Sequence, residues 1–323
     1  ICPQPMRRSF GGENKMGKIA FIFTGQSSQY VGMGKSLYEG SETCRALFDR
    51  ADEVMGREIS GICFEGPQET LNLTENTQPC ILTVEYAAYA ALTEAGIRPD
   101  AIAGFSLGEY GALAAAGVFS FEDALGIIKI RAKAMQEAVP VGQGAMVAVL
   151  GDAERAAAIS REVEGYLAVS NRNSPTKLIF AGEIGAVKDF QERLREAGMK
   201  NTVIPVSIPS HCKLMEPAQK ALGGAFDAVK LSPPQVAFYM NADGEKEQDV
   251  GQIREKMVRQ LCVAVQCEQI IRNMLRDGVD TFVELGPNTM YSKFVREIAP
   301  EVRLLHVEDM ESLEATVRAL GGA

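Results

Sequence analysis

The sequence predicts a mixed α/β fold built on a mostly parallel sheet, and two observations support this prediction. Short apolar runs rich in β-branched and aromatic residues alternate with amphipathic helical runs along most of the 323 residues. This alternation favours parallel strands with helices on both faces of the sheet. The second observation is the apolar run 101–103, which leads through Gly104-Phe105-Ser106-Leu107-Gly108 into an alanine-rich helical run at 109–116. This segment predicts a strand, a sharp turn and a helix, with Ser106 at the apex.

The first part of the chain supplies a strand and several helices. The apolar residues Lys18–Phe23 predict a buried strand, and a small polar loop at 24–29 follows it. A long helix is predicted at 81–95, because Pro79 is well placed near a helix start. A further amphipathic helix is predicted over Phe121–Ala138, beyond the turn that carries Ser106.

The pattern changes after Pro140, where the order of elements becomes β-α-β-β-α-β over about seventy residues, the ferredoxin-like pattern. The predicted elements are strand 144–150, helix 153–163, strand 166–169, a turn at 171–175, strand 177–181, helix 184–197 and strand 202–206. We expect a small subdomain inserted into a larger one. The segment 205–209 then returns the chain to the main body.

The last third of the chain returns to alternating helices and strands. The predicted elements are helix 216–229, strand 236–240, helices 250–261 and 268–276, strand 281–285, a short helix, strand 302–306 and a last helix. These strands complete the parallel sheet.

Composition and charge exclude several classes of function. The net charge of −9 argues against nucleic-acid binding through bulk charge. No apolar run is long enough to span a bilayer, so we expect no membrane contact. Seven cysteines without a C-x-x-C pair indicate a reducing compartment without a disulfide frame or a zinc site. We therefore expect a cytoplasmic protein without a bound metal. Residues 1–15 are interpreted as a flexible leader, since Met16 looks like a natural start.

Ser106 is the candidate nucleophile. A G-x-S-x-G turn between a strand and a helix exposes the serine Oγ and leaves free backbone N–H groups beside it. Acyl transfer needs both features, because the attacking oxygen must be accessible and the developing negative charge needs donors. The alternative is an ordinary tight strand-to-helix connection, which the pattern alone does not exclude.

A serine nucleophile needs a base, and the chain has two histidines. His211 lies in a proline-bearing loop after a strand, where functional side chains are often placed, so base and structural roles stay open for it. His306 lies inside a short apolar strand, which favours a structural role. A third group to orient the imidazole is not evident, since Asp243, Glu284 or a backbone carbonyl could serve. The N–H of Leu107 is one expected oxyanion donor, and the loop 25–29 qualifies to supply the second.

Taken together, eight segments resemble the malonyl-CoA:acyl carrier protein transacylases, the loading enzymes of type II fatty-acid synthesis. They are FIFTGQSSQYVGMG (21–34), ENTQPCILT (75–83), GFSLGEYGALAAAG (104–117), RAKAMQEAVPVGQGAM (131–146), SNRNSPTKLIFAG (170–182), VSIPSHCKLMEPA (206–218), VRQL (258–261) and ELGPN (284–288). The resemblance runs in register from Lys18 to about Val307.

The resemblance implies a role for each matching residue. Ser106 matches the family nucleophile and His211 the general base. Gln26 and Leu107 match the two backbone oxyanion donors. Arg131 matches the arginine that pairs with the free carboxylate of the malonyl group, and Gln260 the position whose backbone carbonyl orients the histidine. A lone arginine on a helix would otherwise be interpreted as a surface charge.

The family also implies a fold, substrates and partners. We expect an α/β-hydrolase-like large subdomain at 16–138 and 208–323 and a ferredoxin-like small subdomain at 139–207, with the site in the cleft between them. The expected substrates are malonyl-CoA and acyl carrier protein, with coenzyme A entering as a thioester substrate and no cofactor. We expect a monomer. Since carrier proteins are acidic, docking needs a local basic patch. The candidates are Arg172, Lys177, Lys200 and Lys213.

The sequence departs from the family pattern at four positions. Phe105 replaces a histidine expected to line the site, which leaves acyl selectivity open. Ser27 replaces a glycine in the loop after the first strand, and we expect it to restrict that turn. Lys177 replaces a common glutamine, and Asn288 a common glycine, which is a mild change because asparagine tolerates positive φ.

Three other functions remain as alternatives. A stand-alone acyltransferase serving a polyketide synthase would use the same residues with a different carrier. A hydrolase that edits acyl thioesters would have a wider, wetter site and no need of Arg131. An idle scaffold that only binds carrier protein would not need Ser106, His211 and Arg131 together.

Overall fold

The structure is a computed structural model that describes residues 17–140, 142–204 and 208–322. The predicted leader 1–15, the start at Met16 and the end of the predicted strand 202–206 lie outside these residues. Within them the strands are β1 Lys18–Phe23, β2 Ala101–Gly104, β3 Gly144–Leu150, β4 Leu167–Ser174, β5 Lys177–Glu183, β6 Lys200–Val203, β7 Ala237–Phe238, β8 Val279–Leu285 and β9 Arg303–Val307.

The helices of the same described residues lie between and after these strands, singly or in groups of up to five. They are α1 Lys35–Gly40, α2 Glu42–Met55, α3 Ile59–Glu65, α4 Gln68–Leu71, α5 Thr74–Glu94, α6 Gly108–Ala115, α7 Phe121–Ala138, α8 Ala153–Ser160, α9 Ile184–Glu196, α10 Glu216–Asp227, α11 Val250–Arg259, α12 Cys267–Arg276, α13 Met290–Ile298 and α14 Met310–Leu320. Short 3₁₀ turns precede α10 and follow α11.

Five strands form the main sheet in the order β7-β2-β1-β8-β9, with every neighbouring pair parallel. The fold is therefore mixed α/β with a mostly parallel sheet, as predicted. The carboxyl ends of parallel strands share one edge of a sheet, so the residues after β1, β2 and β7 lie close together. Apolar layers cover both faces, one around Phe21 and Phe23 and the other around Ala20 and Ile22.

The second sheet is antiparallel, in the order β4-β5-β3-β6. Its elements follow the predicted order β-α-β-β-α-β along the chain. One face packs on α8 and α9, where the rings of Phe180 and Phe190 lie 4.6 Å apart. The chain enters this sheet through the interior strand β3 after α7 and leaves it through the edge strand β6 before α10.

The helix α5 begins earlier than predicted, at Thr74, so that Pro79 lies inside it. A proline has no N–H, which leaves the carbonyl of Glu75 without its helical donor. The guanidinium of Arg57 donates to that carbonyl at 2.6 Å. Because this donor comes from a distant part of the chain, local sequence did not reveal the true start.

The predicted turn at 171–175 is wrong, because β4 continues to Ser174. Beyond Val169 the register of β4 against β5 shifts twice, so that the pairing of the two strands is irregular there. The segment before α12 supplies further backbone partners: Arg172 N–H donates to the carbonyl of Val265, and Val265 N–H donates to Ser170, both at 2.9 Å. The same hydrogen bonds tie the small sheet to the main body.

Two further findings concern the chain as a whole. None of the helices among the described residues is long and apolar enough to cross a membrane. Six cysteines in the described ranges carry free thiols, at positions 44, 63, 80, 212, 262 and 267, while Cys2 lies outside those ranges. The expected cytoplasmic location stays a prediction.

Candidate active site

A strained turn between β2 and α6 presents Ser106. Its φ of +57° lies in the left-handed region that residues with a Cβ rarely adopt. Both flanking glycines are needed. A Cβ on Gly104 would lie 2.0 Å from the carbonyl oxygen of Gly108, and a Cβ on Gly108 would lie 1.9 Å from that of Thr24. The G-x-S-x-G spacing is therefore a steric requirement of this turn.

Asn241, which follows β7, holds the turn in place. Its Oδ1 accepts a hydrogen bond of 2.7 Å from the backbone N–H of Ser106, and its Nδ2 donates to the carbonyl of Gly104 at 2.6 Å. One amide side chain thus satisfies a donor and an acceptor of the strained backbone. Strain of this kind persists only where surrounding contacts fix it.

Ser106, His211 and the backbone of Gln260 form a hydrogen-bonded chain. The Oγ of Ser106 lies 2.7 Å from Nε2 of His211, and Nδ1 of His211 lies 2.9 Å from the carbonyl oxygen of Gln260. A carbonyl only accepts, so Nδ1 carries the proton and Nε2 is free to accept from the serine. Burial, aided by the charge of Arg131, lowers the pKa of His211 to about 4, which keeps the imidazole neutral near neutral pH.

The two carboxylates considered as a third group lie elsewhere. Asp243 pairs with Lys256 at 2.7 Å. Glu284 accepts hydrogen bonds from the backbone N–H groups of Tyr291 and Ser292 at the start of α13. His306 lies in β9, with its Nε2 3.8 Å from Glu308. Of the three candidates for the third group, the backbone carbonyl is the one that contacts His211.

The expected oxyanion donors lie on the two sides of the turn at 104–108 that carries Ser106, here called the elbow. Leu107 directly precedes α6, and Gln26 lies in the loop after β1. That loop packs tightly on the elbow, since a Cβ on Gly25 would lie 2.7 Å from the carbonyl oxygen of Phe105. Within the described part of the chain, no hydrogen bond involves the backbone N–H of Gln26 or of Leu107. Their role as oxyanion donors stays a prediction.

Arg131 lies in α7 and is 1% exposed. Its Nη2 donates to Ser106 Oγ at 3.1 Å and to Oε1 of Gln260 at 3.4 Å. The guanidinium also lies over the ring of Tyr110, 5.2 Å from its centre. Burial lowers the pKa of Arg131, but a guanidinium stays charged in proteins. A buried cation therefore contacts the hydroxyl of Ser106 and has only neutral hydrogen-bond partners there.

Sequence reasoning missed two residues of this site. Asn241 was not among the candidates, although Asp243, two residues later, was. Glu109, fully buried at the start of α6, accepts from the backbone N–H of Asn241 at 2.7 Å and from Nε2 of Gln260 at 2.5 Å. Burial raises the pKa of Glu109 to about 8. The available signal was a lone carboxylate inside an alanine-rich helix directly after the elbow.

Comparison with known proteins matches residues 20–315 to the acyl transferase domain family. The chain belongs to this family. It is 39% identical over 310 residues to a malonyl CoA-acyl carrier protein transacylase of Bacillus subtilis (strain 168), covering 94% of this chain and 98% of that one. Over 94% of this chain and 97% of the other, it superposes on the crystal structure of a malonyl CoA-acyl carrier protein transacylase from Clostridium perfringens, with a TM-score of 0.91 and 37% identity.

A second similar structure holds a partner. It is described as a type II PKS acyl-carrier protein in complex with its malonyl-transacylase, and it matches with a TM-score of 0.91 and 34% identity over 94% of this chain and 99% of that one. Enzymes of this group are acyltransferases, and so is this chain.

Three departures from the family pattern have structural consequences in this acyltransferase. The ring of Phe105 is fully buried and stacks on Tyr291, with ring centres 4.2 Å apart, so its contacts are those of a core residue. Ser27 has a φ of +83°, a conformation that favours glycine. Asn288 has a φ of +64°, and its Nδ2 donates to the carbonyl of Ser28 at 2.7 Å, which supports the loop after β1.

The four candidate docking residues do not lie together. Lys177 on β5 and Lys200 on β6 both pair with Leu150 of the intervening strand β3, so they lie at one end of the antiparallel sheet, and Arg172 lies on β4 next to β5. Lys213 lies at the opposite end, where its Nζ is 4.1 Å from the ring centre of Tyr166. It is also the candidate nearest to the active site, two residues after His211.

Proposed function

We propose that this acyltransferase moves the malonyl group from malonyl-CoA to the phosphopantetheine thiol of acyl carrier protein through a malonyl-serine intermediate. The observation that carries the proposal is the position of Ser106 Oγ, 2.7 Å from the imidazole of His211 and 3.1 Å from the guanidinium of Arg131. A nucleophile, its base and a buried cation meet at one point. The names of the relatives support the same substrates.

The first half-reaction forms the acyl enzyme. Nε2 of His211 takes the proton of Ser106 as Oγ attacks the thioester carbon. The negative charge on the carbonyl oxygen is held by the backbone N–H groups of Gln26 and Leu107. The carbon–sulfur bond then breaks, and His211 returns its proton to the sulfur of the departing coenzyme A.

The second half-reaction reverses these steps with another thiol. His211 takes the proton of the phosphopantetheine thiol as its sulfur attacks the ester carbon on Ser106. The same N–H groups hold the oxyanion until the serine oxygen leaves and recovers the proton from His211. The carbonyl of Gln260 keeps the imidazole oriented in both directions, so a Ser–His dyad suffices. The steps are proton transfers and acyl substitutions and need no cofactor.

Arg131 selects the acyl group. Its guanidinium, 3.1 Å from Ser106 Oγ, would pair with the free carboxylate of a malonyl chain bound at the serine, and a bidentate pair of this kind is strong in a buried site. An acetyl chain would leave the cation without a charged partner, which penalises the wrong substrate. This argues against the editing hydrolase and the idle scaffold, since neither needs a buried cation beside the serine.

The two sheets support a division into an α/β-hydrolase-like subdomain at 16–138 and 208–323 and a ferredoxin-like one at 139–207. The antiparallel sheet is contiguous in sequence, and its strand order is that of the ferredoxin-like pattern. We expect the protein to act as a monomer in the cytoplasm.

The choice of carrier separates fatty-acid from polyketide synthesis. The relative that is paired with a type II PKS carrier has the same fold as this chain, so a polyketide carrier stays as the second candidate. Transfer assays with carrier proteins of both kinds distinguish the two pathways.

The replacement Ser106→Ala tests the proposal. Brief exposure of the wild-type protein to malonyl-, methylmalonyl- and acetyl-CoA should add the malonyl mass first, on the peptide that contains Ser106. The variant should gain no mass and transfer no malonyl group. Ser210→Ala, which removes a hydroxyl next to His211, is the matched control and should be labelled normally. Full malonyl transfer by Ser106→Ala would refute the mechanism.

Charge reversal tests the docking surface. Replacing all four candidate cations by glutamate should raise the apparent KM for an acidic carrier protein by roughly tenfold at low salt, because steering depends on complementary charge. Since Lys213 lies nearest to His211, Lys213→Glu alone should account for much of this effect. An unchanged KM in the fourfold variant would remove these residues from the docking surface.

A further inference from the structure

A buried polar network lies behind Ser106, and Glu109 is at its centre. Its two carboxyl oxygens receive separate donors, the backbone N–H of Asn241 and Nε2 of Gln260. Asn241 in turn holds the backbone of the elbow. None of the proposed catalytic steps uses this carboxyl group directly, and its full burial makes its hydrogen bonds costly to lose.

The side chain of Gln260 has one orientation that satisfies all its neighbours. Its Nε2 donates both to Glu109 and to the carbonyl of Ser106, the latter at 2.9 Å. With the nitrogen turned that way, Oε1 faces Arg131 and accepts from its Nη2 at 3.4 Å. The orientation of this amide therefore decides whether Arg131 meets an acceptor or another donor.

We infer that Glu109 is a positioning residue that fixes the orientation of the Gln260 amide and, through this amide, the position of the Arg131 guanidinium. Glu109 thereby sets the preference of the site for acyl chains that end in a carboxylate. This inference rests on the proposed function, since it concerns the selectivity of the same site. Glu109 acts through its neighbours and touches no reacting atom.

The replacement Glu109→Gln exposes this role, because it changes one carboxyl oxygen into a donor of nearly equal size. If the new amide nitrogen faces Gln260, two donors meet, and relief requires the amide of Gln260 to turn over. Its nitrogen would then face the guanidinium of Arg131, and its oxygen would face the carbonyl of Ser106. If the new nitrogen faces Asn241 instead, it meets a backbone N–H that cannot turn. Every orientation therefore leaves like groups in contact.

The protonated carboxyl group should resemble the amide, because it also carries one donor. Burial raises the pKa of Glu109, the N–H donors and Arg131 lower it, and Asp243 adds a smaller upward effect, so that the net pKa is about 8. Tyr110, whose pKa burial raises to about 12, is the other titratable group nearby. The difference in the malonyl-to-acetyl rate ratio between wild type and Glu109→Gln should therefore be large at about pH 9, and it should be smaller at about pH 6.5.

The experiment measures the rates at which malonyl-CoA and acetyl-CoA acylate Ser106 in single turnovers at about pH 9. In Glu109→Gln the malonyl rate should fall roughly 30-fold and the acetyl rate only a few-fold, so that the malonyl-to-acetyl ratio narrows about tenfold. Glu284→Gln is the matched control, because it too replaces a buried carboxylate that faces backbone N–H groups. It should cost stability and leave the ratio unchanged.

Two outcomes would overturn the inference: a ratio in Glu109→Gln within about threefold of wild type, or an equal narrowing in Glu284→Gln. Should Glu109→Gln not fold, Gln260→Met carries the same test, since removal of the amide should narrow the ratio as well. An unchanged ratio in Gln260→Met would also contradict it.

A crystal structure of Glu109→Gln separates this inference from the proposed function. Displacement of Arg131 from Ser106 supports the inference even if wild-type protein is not acylated by malonyl-CoA, which would refute the function alone. A guanidinium that keeps its contact with the serine would refute the inference while leaving the function standing.

Discussion

At the scale of single residues, burial decides which charge each group of the site carries. His211 is 3% exposed and neutral, and Arg131 is 1% exposed and cationic. Their roles differ because an imidazole gives up its proton when it is buried, whereas a guanidinium does not. The site therefore combines an imidazole that is uncharged at neutral pH with a permanent positive charge.

The pH dependence of serine reactivity follows from His211. Its pKa of about 4 predicts that the labelling of Ser106 by an uncharged fluorophosphonate stays level as the pH falls through 6.5 and declines only near 4. The reagent has no carboxylate, so Arg131 selectivity does not enter. Labelling rates from stopped samples at each pH provide the measurement, with Ser106→Ala as the blank. Half-loss near pH 6.5 would show that the imidazole is solvated.

The free energy of unfolding should also depend on pH between 6.5 and 4. Between pH 6.5 and 4 the unfolded chain binds a proton at His211 that the folded chain does not. Stability therefore falls as the pH drops through this window. Labelling rates at the acid end need a parallel check by circular dichroism that the protein is folded.

The residues that sequence could identify are those whose role depends on local geometry. Ser106 and its glycines were evident because the turn itself requires them. The case for His211 rested on its loop and stayed open until the resemblance was added. Glu109 and Asn241 were not identified, since their roles depend on each other and on Gln260, and the three residues lie far apart in the sequence.

At the scale of elements, a boundary was predicted correctly where residues next to it in the sequence fix it, and wrongly where a distant segment does. The bounds of α7 were predicted correctly, because Ser120 and Asp123 cap its start within the local sequence. The start of α5 depends on Arg57, and the length of β4 depends on Val265. Contacts between distant segments fix both of these boundaries, and no local pattern encodes them.

The loop after β1 offers a matched pair of replacements. Ser27→Gly should raise stability by about 1 kcal/mol, because φ is +83° at Ser27 and a Cβ is strained there. Ser28→Gly should lower stability by about 1 kcal/mol, since it removes the hydrogen bond from Oγ to the carbonyl of Gly25 at 2.8 Å. Urea unfolding of both variants measures the difference. Equal effects of the two replacements would refute this account of the loop.

At the scale of the whole molecule, two sheets with different strand directions are joined through the segment at Val265 and through α13. Sequence predicted both sheets, because the change from long helices to short alternating elements is visible after Pro140. It could not predict how they are joined. The hairpin between β4 and β5 contacts α13, where Glu297 accepts from Ser174 Oγ at 2.8 Å, Thr176 N–H at 3.1 Å and Thr176 Oγ1 at 2.7 Å.

Glu297 therefore links α13 to the antiparallel sheet, and Glu297→Ala should weaken this contact at one end of the sheet. Because Glu297 is exposed, the loss should be modest, about 1 kcal/mol, or roughly 2 °C in Tm. Amide exchange at Thr176 should accelerate several-fold, whereas the hydrogen bonds of Val265 should keep Arg172 protected. Acylation of Ser106 should be unchanged, since Gln260 in the main body orients His211. Glu301→Ala, an exposed glutamate beyond α13, is the control. A fall in the acylation rate of Glu297→Ala would show that the junction of the sheets also sets the geometry of the dyad.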